Sequence, residues 1–339
     1  MTRLFIDGGE FGDTLFWSSL GQLDADNGVF TTQKRSGAYS YAINGTEGHV
    51  RWLEKQFTAI SEFYYRFAVW PTASQNTDIS ICIAKSGSTQ IGYLKVSSDG
   101  KLHVYVNATE VTTSTLTVPK GNWTLIEWHL KIADSSGVSE VKIDGVLDPT
   151  YTGDTKPGSE TTVDRVRHCS YAWERTYYDD IAMNDTVNTD GKNDNSWPGD
   201  GRIEILVPSG NGTLSQWTGS DSNSTDNYQL IDDIPASSTD YVQDSTPGNK
   251  DRYAITDFTA TGKQILRVWS EARAIDTVPE GAQMKIGLRV SSTDYMSSAI
   301  SLPTTYNIVK GNEYKVNPDD SSAWEDADID GIELVVETV

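Results

Sequence analysis

The sequence predicts an all-β protein of two β-sandwich domains, the second smaller, mostly β and carrying one short helix. Three observations predict it. Apolar and polar residues alternate with a period of two through many successive runs. Turn pairs break those runs at short intervals, at Asp99-Gly100, Lys120-Gly121, Ser136-Gly137 and Asp144-Gly145. The 28 Gly, 16 Tyr and 10 Trp suit strands and turns better than helices.

The elements follow in order. In "EFYYRFAVW" the residues Phe63, Tyr65, Phe67 and Val69 share one face, against Tyr64, Arg66, Ala68 and Trp70 on the other. "KLHVYV" turns Leu102, Val104 and Val106 inward and Lys101, His103 and Tyr105 away. "WTLIEWHLKI" sets Thr124, Ile126, Trp128, Leu130 and Ile132 against Leu125, Glu127, His129 and Lys131. Such strands over residues 1–187 predict a two-sheet sandwich. "NTDGKNDNSWPGDG" (188–201) then has three Gly, a Pro and no aliphatic residue, and predicts a linker. Strands resume in a second sandwich over 202–339, from "RIEILV" to "IELVVET". The one helix is expected near Trp324, opened by a Ser322/Glu325 capping box and stopped at Gly331.

The charge is −21, from 48 acidic and 27 basic residues. Residues 190–339 hold 25 acidic and 11 basic residues, net −14, which leaves −7 for the first 189. A field of this sign repels phosphate backbones and anionic headgroups, so neither nucleic acid nor membrane insertion is expected. The opening "MTRLFIDGGEFGD" has no apolar h-region of a secretory leader, and no apolar run approaches the roughly 20 residues of a membrane span. Cys82 and Cys169 lie in strand-like apolar runs, which suits buried free thiols, with one cross-bridge as the alternative.

"GNWTLIEWHLKIADSSGVSEVKIDGVL" (121–147) resembles the central hairpin of concanavalin A-like, laminin-G-like jelly rolls, through Trp123, Trp128, Val141, Ile143 and Asp144-Gly145. "YYDDIAMND" resembles a late strand of the same fold, and with "EFYYRFAVW" the resemblance spans about residues 1–187. The stretches "NSWPGDGRIEILVPSGNGTLSQWT", "NYQLIDDIPASSTDYV" and "NPDDSSAWEDADIDGIELVVET" are similar to segments that follow such a jelly roll in tailed-bacteriophage virion proteins. The resemblance implies a structural protein on the head, neck or tail surface, assembled in the host bacterial cytoplasm. It also implies other virion proteins as partners, homo-oligomers with a trimer as the candidate state, and host surface polysaccharide as a candidate ligand. A carbohydrate-binding module of a bacterial surface protein is the alternative.

No catalytic residue is expected. Asp179 and Asp180 are adjacent on a strand, so their side chains are expected on opposite faces and not as an acid/base pair. A structural corner suits them best, with calcium as the candidate ion if they bind one; no other cofactor is expected. The E-x-D-x-x-E strand of glucan-hydrolysing jelly rolls is absent, and His49, His103, His129 and His168 stand beside no nucleophile motif. No nucleotide-binding loop is present. The chain is therefore expected not to be an enzyme. Tyr171, Trp173, Tyr177 and Tyr178 form the candidate carbohydrate surface, because an aromatic ring can stack on the apolar face of a sugar.

Overall fold

The computed structural model of the chain describes residues 3–21, 28–45, 51–72, 77–170, 175–187, 194–259, 262–277 and 281–339. It divides into two compact units, 1–204 and 205–339. Strands dominate both, and every strand pairing is antiparallel in a jelly-roll-like architecture.

In the first unit one sheet runs β13 (Val146–Gly153), β12 (Gly137–Ile143), β11 (Thr124–Lys131), β6 (Glu62–Pro71), β15 (Arg175–Asp185), β4 (Ser40–Asn44) and β3 (Gly28–Phe30). The short β1 (Arg3–Asp7) also pairs with β15. The second sheet runs β10 (Thr109–Thr117), β9 (Lys101–Val106), β8 (Thr89–Val96), β7 (Ile79–Ser86), β14 (Val163–Ser170), β5 (Arg51–Ile60) and β2 (Ser19–Gly21).

The alternation decides what lies between the sheets. Phe63, Tyr65, Phe67 and Val69 are buried, as are Ile126, Trp128 and Leu130 from β11 and Leu94, Leu102 and Val104 from the second sheet. Trp128 donates its indole N–H to Ser139 Oγ at 3.0 Å and meets Phe63 edge-on at 5.5 Å, so its one polar atom is satisfied in the dry interior. A residue of this size in such a place is worth about 3–5 kcal/mol against Ala.

The other face of the first sheet is less open than alternation predicts. Arg66, Glu127 and His129, read as outward, are buried. Residues 194–204, which include the described part of the segment read as a linker, lie over them within this unit. Gly199 N–H donates to Glu127 Oε1 at 2.6 Å, its carbonyl accepts from Arg66 Nη1 at 3.1 Å, and Trp197 packs edge-on against His129 and Tyr64.

Cys82 and Cys169 are buried free thiols, so no cross-bridge joins them. Burial pushes the Cys169 thiol up to about 12. His168, on the core side of β14, is fully buried and edge-on to Trp17 and Phe67. Its Nδ1 lies 2.9 Å from the Ile81 carbonyl, an acceptor only, so Nδ1 carries the proton and Nε2 accepts from the Tyr65 hydroxyl at 2.6 Å.

In the second unit a sheet forms from 208–215, 250–255, 333–338, 283–290 and 293–296, with a short edge piece at Ile300–Ser301. Trp217, Tyr253, Met284, Ile286, Val309 and Val336 make one core cluster. Among the described residues the one α-helix, α1, covers Asp326–Asp330 and begins later than the sequence predicts. Glu325, not Ser322, is its N-cap, and Asp328 accepts from the Glu325 N–H at 2.9 Å. Trp324 precedes the helix and is buried, because its indole N–H reaches the Tyr314 carbonyl at 3.0 Å.

Burial pushes His168 down to about 3, well below an unfolded histidine near 6.5. The unfolded chain therefore binds the extra proton between those values, and stability present above pH 6.5 is lost as pH falls toward 3. The slope reaches about 1.4 kcal/mol per pH unit. Between pH 6.5 and 5, urea unfolding should show His168→Gln losing about 2 kcal/mol less stability than the native chain. Equal losses in both proteins would show that His168 titrates in the fold as it does in the unfolded chain.

Candidate functional site

Asp179 and Asp180 converge instead of pointing apart. β15 carries a bulge between Asp179 and Ala182, and Asp180 takes a left-handed backbone with φ of 52°. This conformation, which Asp tolerates better than most residues, breaks the strand alternation that predicts opposite faces. Both side chains are fully buried and both reach the Arg35-Ser36 segment. Asp179 Oδ2 accepts from the backbone N–H of Arg35 at 2.7 Å and of Ser36 at 3.3 Å, and its Oδ1 accepts from the Asp180 N–H at 2.7 Å. Asp180 Oδ1 accepts from Ser36 Oγ at 2.6 Å and the Ile203 N–H at 2.8 Å, and its Oδ2 from Arg35 Nη1 at 2.8 Å.

All four carboxylate oxygens thus accept from N–H or O–H donors. That donor set makes a structural corner, whereas a calcium cage presents its oxygens to the ion. Among the described residues no group of three or more His, Cys, Asp or Glu side chains is arranged to hold a metal. Burial, and then the neighbouring Asp180, push the Asp179 carboxyl above the usual carboxylate range.

Two of the four candidate sugar-stacking rings, Tyr177 and Tyr178, are enclosed. Tyr178 is fully buried and donates its hydroxyl to the Cys169 carbonyl at 2.9 Å. Tyr177 is buried and edge-on to Phe30. A ring enclosed by protein offers no face to a sugar, so both are packing residues. Tyr171 and Trp173 lie outside the described residues.

A different face carries accessible chemistry. On the outer side of the second sheet, strand register aligns Glu54, Arg167, Ile83, Tyr93, Tyr105 and Glu110 in one row across β5, β14, β7, β8, β9 and β10. The adjoining row holds Arg165, Lys85 and Gln90. β7, β8, β9 and β14 turn alternate residues into the core, which leaves their members of this set on the outer side. Tyr93 and Tyr105 stack at 4.3 Å with their planes 6° apart. Each ring therefore has one face turned to its partner and one turned away. The free face of Tyr93 looks over partly exposed Ile83 toward Arg167, two strand spacings or about 10 Å away. Arg167 in turn lies over the Trp52 ring at 4.2 Å.

Beneath the cations sits Glu54, which is nearly fully buried. Arg167 donates to its Oε2 from Nε at 2.9 Å, Arg165 approaches Oε1 at 3.4 Å, and the Lys85 ammonium lies 3.8 Å from Oε2. Further along the sheet Lys95 pairs with Asp78 at 2.7 Å, and Glu110 accepts from the Tyr105 hydroxyl at 3.0 Å. The result is a slot with a ring as one wall, an aliphatic floor and guanidinium groups as the other wall. It can stack a flat-faced, hydroxylated ligand and hydrogen-bond its edge.

The polar faces of "IGYLKV", "KLHVYV" and "DRVRH" held the signal in the sequence, as Y-x-K, H-x-Y and R-x-R at period two. Alternation alone places His103 and Tyr105 on an outward face and says nothing of what lies beside them. Strand neighbours that lie 84 and 113 positions apart, as Ile83 and Glu54 do from Arg167, are not ordered by periodicity.

No family model matches the chain, and no curated protein matches it. Solved structures do. An endo-β-1,4-glucuronan lyase from the fungus Trichoderma reesei aligns with 56% of this chain and 98% of its own, at 16% identity and TM-score 0.45. A cellulose-induced protein, Cip1, covers 58% and 100%, at 17% identity and TM-score 0.45. A marine PL-14 alginate lyase from Aplysia kurodai covers 54% and 99%, at 10% identity and TM-score 0.43. At these values the likeness is one of fold. The expectation of a non-enzyme is withdrawn, because a missing E-x-D-x-x-E string excludes one hydrolytic arrangement and not catalysis.

Removing Asp180 should unlock the corner. In urea titrations Asp180→Ala should lose about 3 kcal/mol or more, since it leaves Arg35 short of a buried partner and puts Ala at positive φ. Asp180→Asn, which keeps an acceptor and tolerates the backbone, should lose less. A chelator should leave the melting temperature of the native chain unchanged; a fall of several degrees would establish a structural cation instead.

Proposed function

We propose that the chain is a glycan-binding protein whose first unit takes a saccharide on the outer face of its second sheet. The stacked Tyr93–Tyr105 pair beside the Arg167/Trp52 wall is the observation that carries this reading. Rings held rigidly by a sheet stack on a sugar at low entropic cost, and the surrounding amide and guanidinium donors suit its hydroxyls. The names of the structural neighbours, glucuronan and alginate lyases among them, agree with a glycan as ligand without deciding it. Display on a phage particle is one setting for such a module. That placement belongs to the proposal on the sequence resemblance alone, and immunogold labelling of particles tests it.

A second reading has one specific observation behind it. Burial, then the charges of Arg167 and Arg165, push the Lys85 ammonium below the ordinary lysine range. An amine more readily deprotonated, beside two fixed cations, is equipped to move a proton at the same slot. On this reading the protein also shortens the polysaccharide it binds.

The full chain should retain at least one polysaccharide from a panel of plant, algal and bacterial glycans in affinity electrophoresis. Tyr93→Ala should weaken that retention by up to about tenfold through the lost stacking face, while Tyr178→Phe should not change it. Retention undiminished in Tyr93→Ala would remove this face from the function. Size-exclusion chromatography of saturating polysaccharide, before and after incubation, tests the second reading. Shortening that disappears in Lys85→Met supports it, and unchanged length leaves binding as the activity.

A further inference from the structure

We propose that Lys85, Arg165 and Arg167 form a carboxylate-recognition subsite, so that the glycan this face accepts is a polyuronate lying across the strands with one acidic group at this cluster. The inference rests on the glycan-binding reading of the same face and specifies its ligand.

Three cations gather on adjoining positions of β7 and β14, against two carboxylates, Glu54 and Asp164. The cluster thus holds a surplus of one positive charge in a chain of net charge −21. Position matters as much as count. Glu54 lies below, its side chain 4% exposed, whereas the side chains of Lys85, Arg165 and Arg167 are 14%, 22% and 19% exposed. The positive groups therefore form the outer layer.

Their donors are unevenly engaged. Arg167 directs Nε and Nη2 to Glu54, and Arg165 directs Nε and Nη2 to Asp164. Arg167 Nη1 has no acceptor among the described residues. The Lys85 ammonium is 3.8 Å from Glu54, beyond hydrogen-bond reach, and has no acceptor among them either. A half-buried ammonium beside two guanidiniums is under-compensated, and burial and those neighbours push its proton affinity down accordingly. A planar anion entering between Lys85 and Arg167 supplies the missing acceptor, and the free guanidinium edge suits a carboxylate.

Spacing extends this to a polymer. From Arg167 the row continues over Ile83 to the free face of Tyr93, about 10 Å along the sheet normal to the strands. One sugar at the cations therefore leaves the next within reach of the ring. Lys95, 5.7 Å from the Tyr105 ring centroid, is held by Asp78 at 2.7 Å and Glu110 lies beyond the pair, so the positive charge of this face is concentrated at the Lys85/Arg165/Arg167 end.

The test uses the full chain with uronate hexamers prepared from alginate, pectate and glucuronan, and the same hexamers after carboxyl reduction, in titration calorimetry. At least one uronate hexamer should bind, with its reduced form weaker by about tenfold or more. Lys85→Met keeps Glu54 bonded to both guanidiniums, so it should fold as the native chain does by circular dichroism. It should weaken uronate binding by about tenfold and leave the reduced hexamer unaffected. Arg167→Lys, which keeps the charge but not the planar edge, should fall between the two. Equal affinity for a hexamer and its reduced form overturns the subsite while the glycan-binding reading stands. So does retention of neutral polysaccharides alone. Failure to bind any glycan in either experiment overturns both.

Discussion

The constraint on which the first unit turns is that two adjacent carboxyl groups are fully buried side by side. Carboxyl groups this close and this deep are tolerated only when every oxygen meets a hydrogen-bond partner. Asp179 and Asp180 meet that condition at one place, where the strand bulges and three segments converge on it. The consequence reaches the sheet order. Before the bulge β15 pairs with β4 through Arg175–Tyr178, and after it with β1 through Ile181–Asn184. The corner is therefore where one edge of the central strand changes partner. It also ties residues 199–203 to the sheet, through Arg35 to Asp200, Arg66 to Gly199 and Asp180 to Ile203. The covering of the first sheet by 194–204 follows from that tie, and it leaves the second sheet as the one whose outer polar rows stay accessible.

That asymmetry explains which parts of the structure were legible in the sequence. Period-two alternation identified the core sides of β6, β9 and β11, because a strand with one buried face must repeat every second residue. It failed on the outer side of β6 and β11, where Arg66, Glu127 and His129 are polar yet buried under a segment that reads as a linker. A run of Gly, Asn and Asp signals irregular backbone, and irregular backbone can pack on a sheet as well as bridge domains. The helix was displaced for a related reason: Ser322-x-x-Glu325 and Glu325-x-x-Asp328 overlap, and the burial of Trp324 decided between them.

The candidate site was less legible, and the cause is local versus non-local information. "YYDD" concentrates aromatic and acidic residues within four positions, so it draws attention as a site. Its density instead reflects a demanding structural job, with Tyr178 sealing the core and the two aspartates closing the corner. The row from Glu54 to Glu110 contains no dense motif at all. It comes from six strands, and only the pairing register sets Tyr93 against Tyr105 and Arg167 beside Ile83.

An enzyme is not excluded by the absence of a one-strand motif. A one-strand motif search finds sites whose groups lie on a single strand at alternate positions. A sheet face assembles its groups across strands, one or two from each, with spacing fixed by hydrogen-bonded pairing and not by chain order. The three cations around Glu54 are such an assembly: Lys85 from β7 and Arg165 and Arg167 from β14, held in place by a carboxylate from β5. Each alone is an ordinary surface residue of an acidic protein. Together they keep positive charge at the surface, because the compensating carboxylate is fixed beneath them in the sheet and cannot rise to neutralise what approaches from outside. It is this vertical separation of charge that makes the face receptive to an anion.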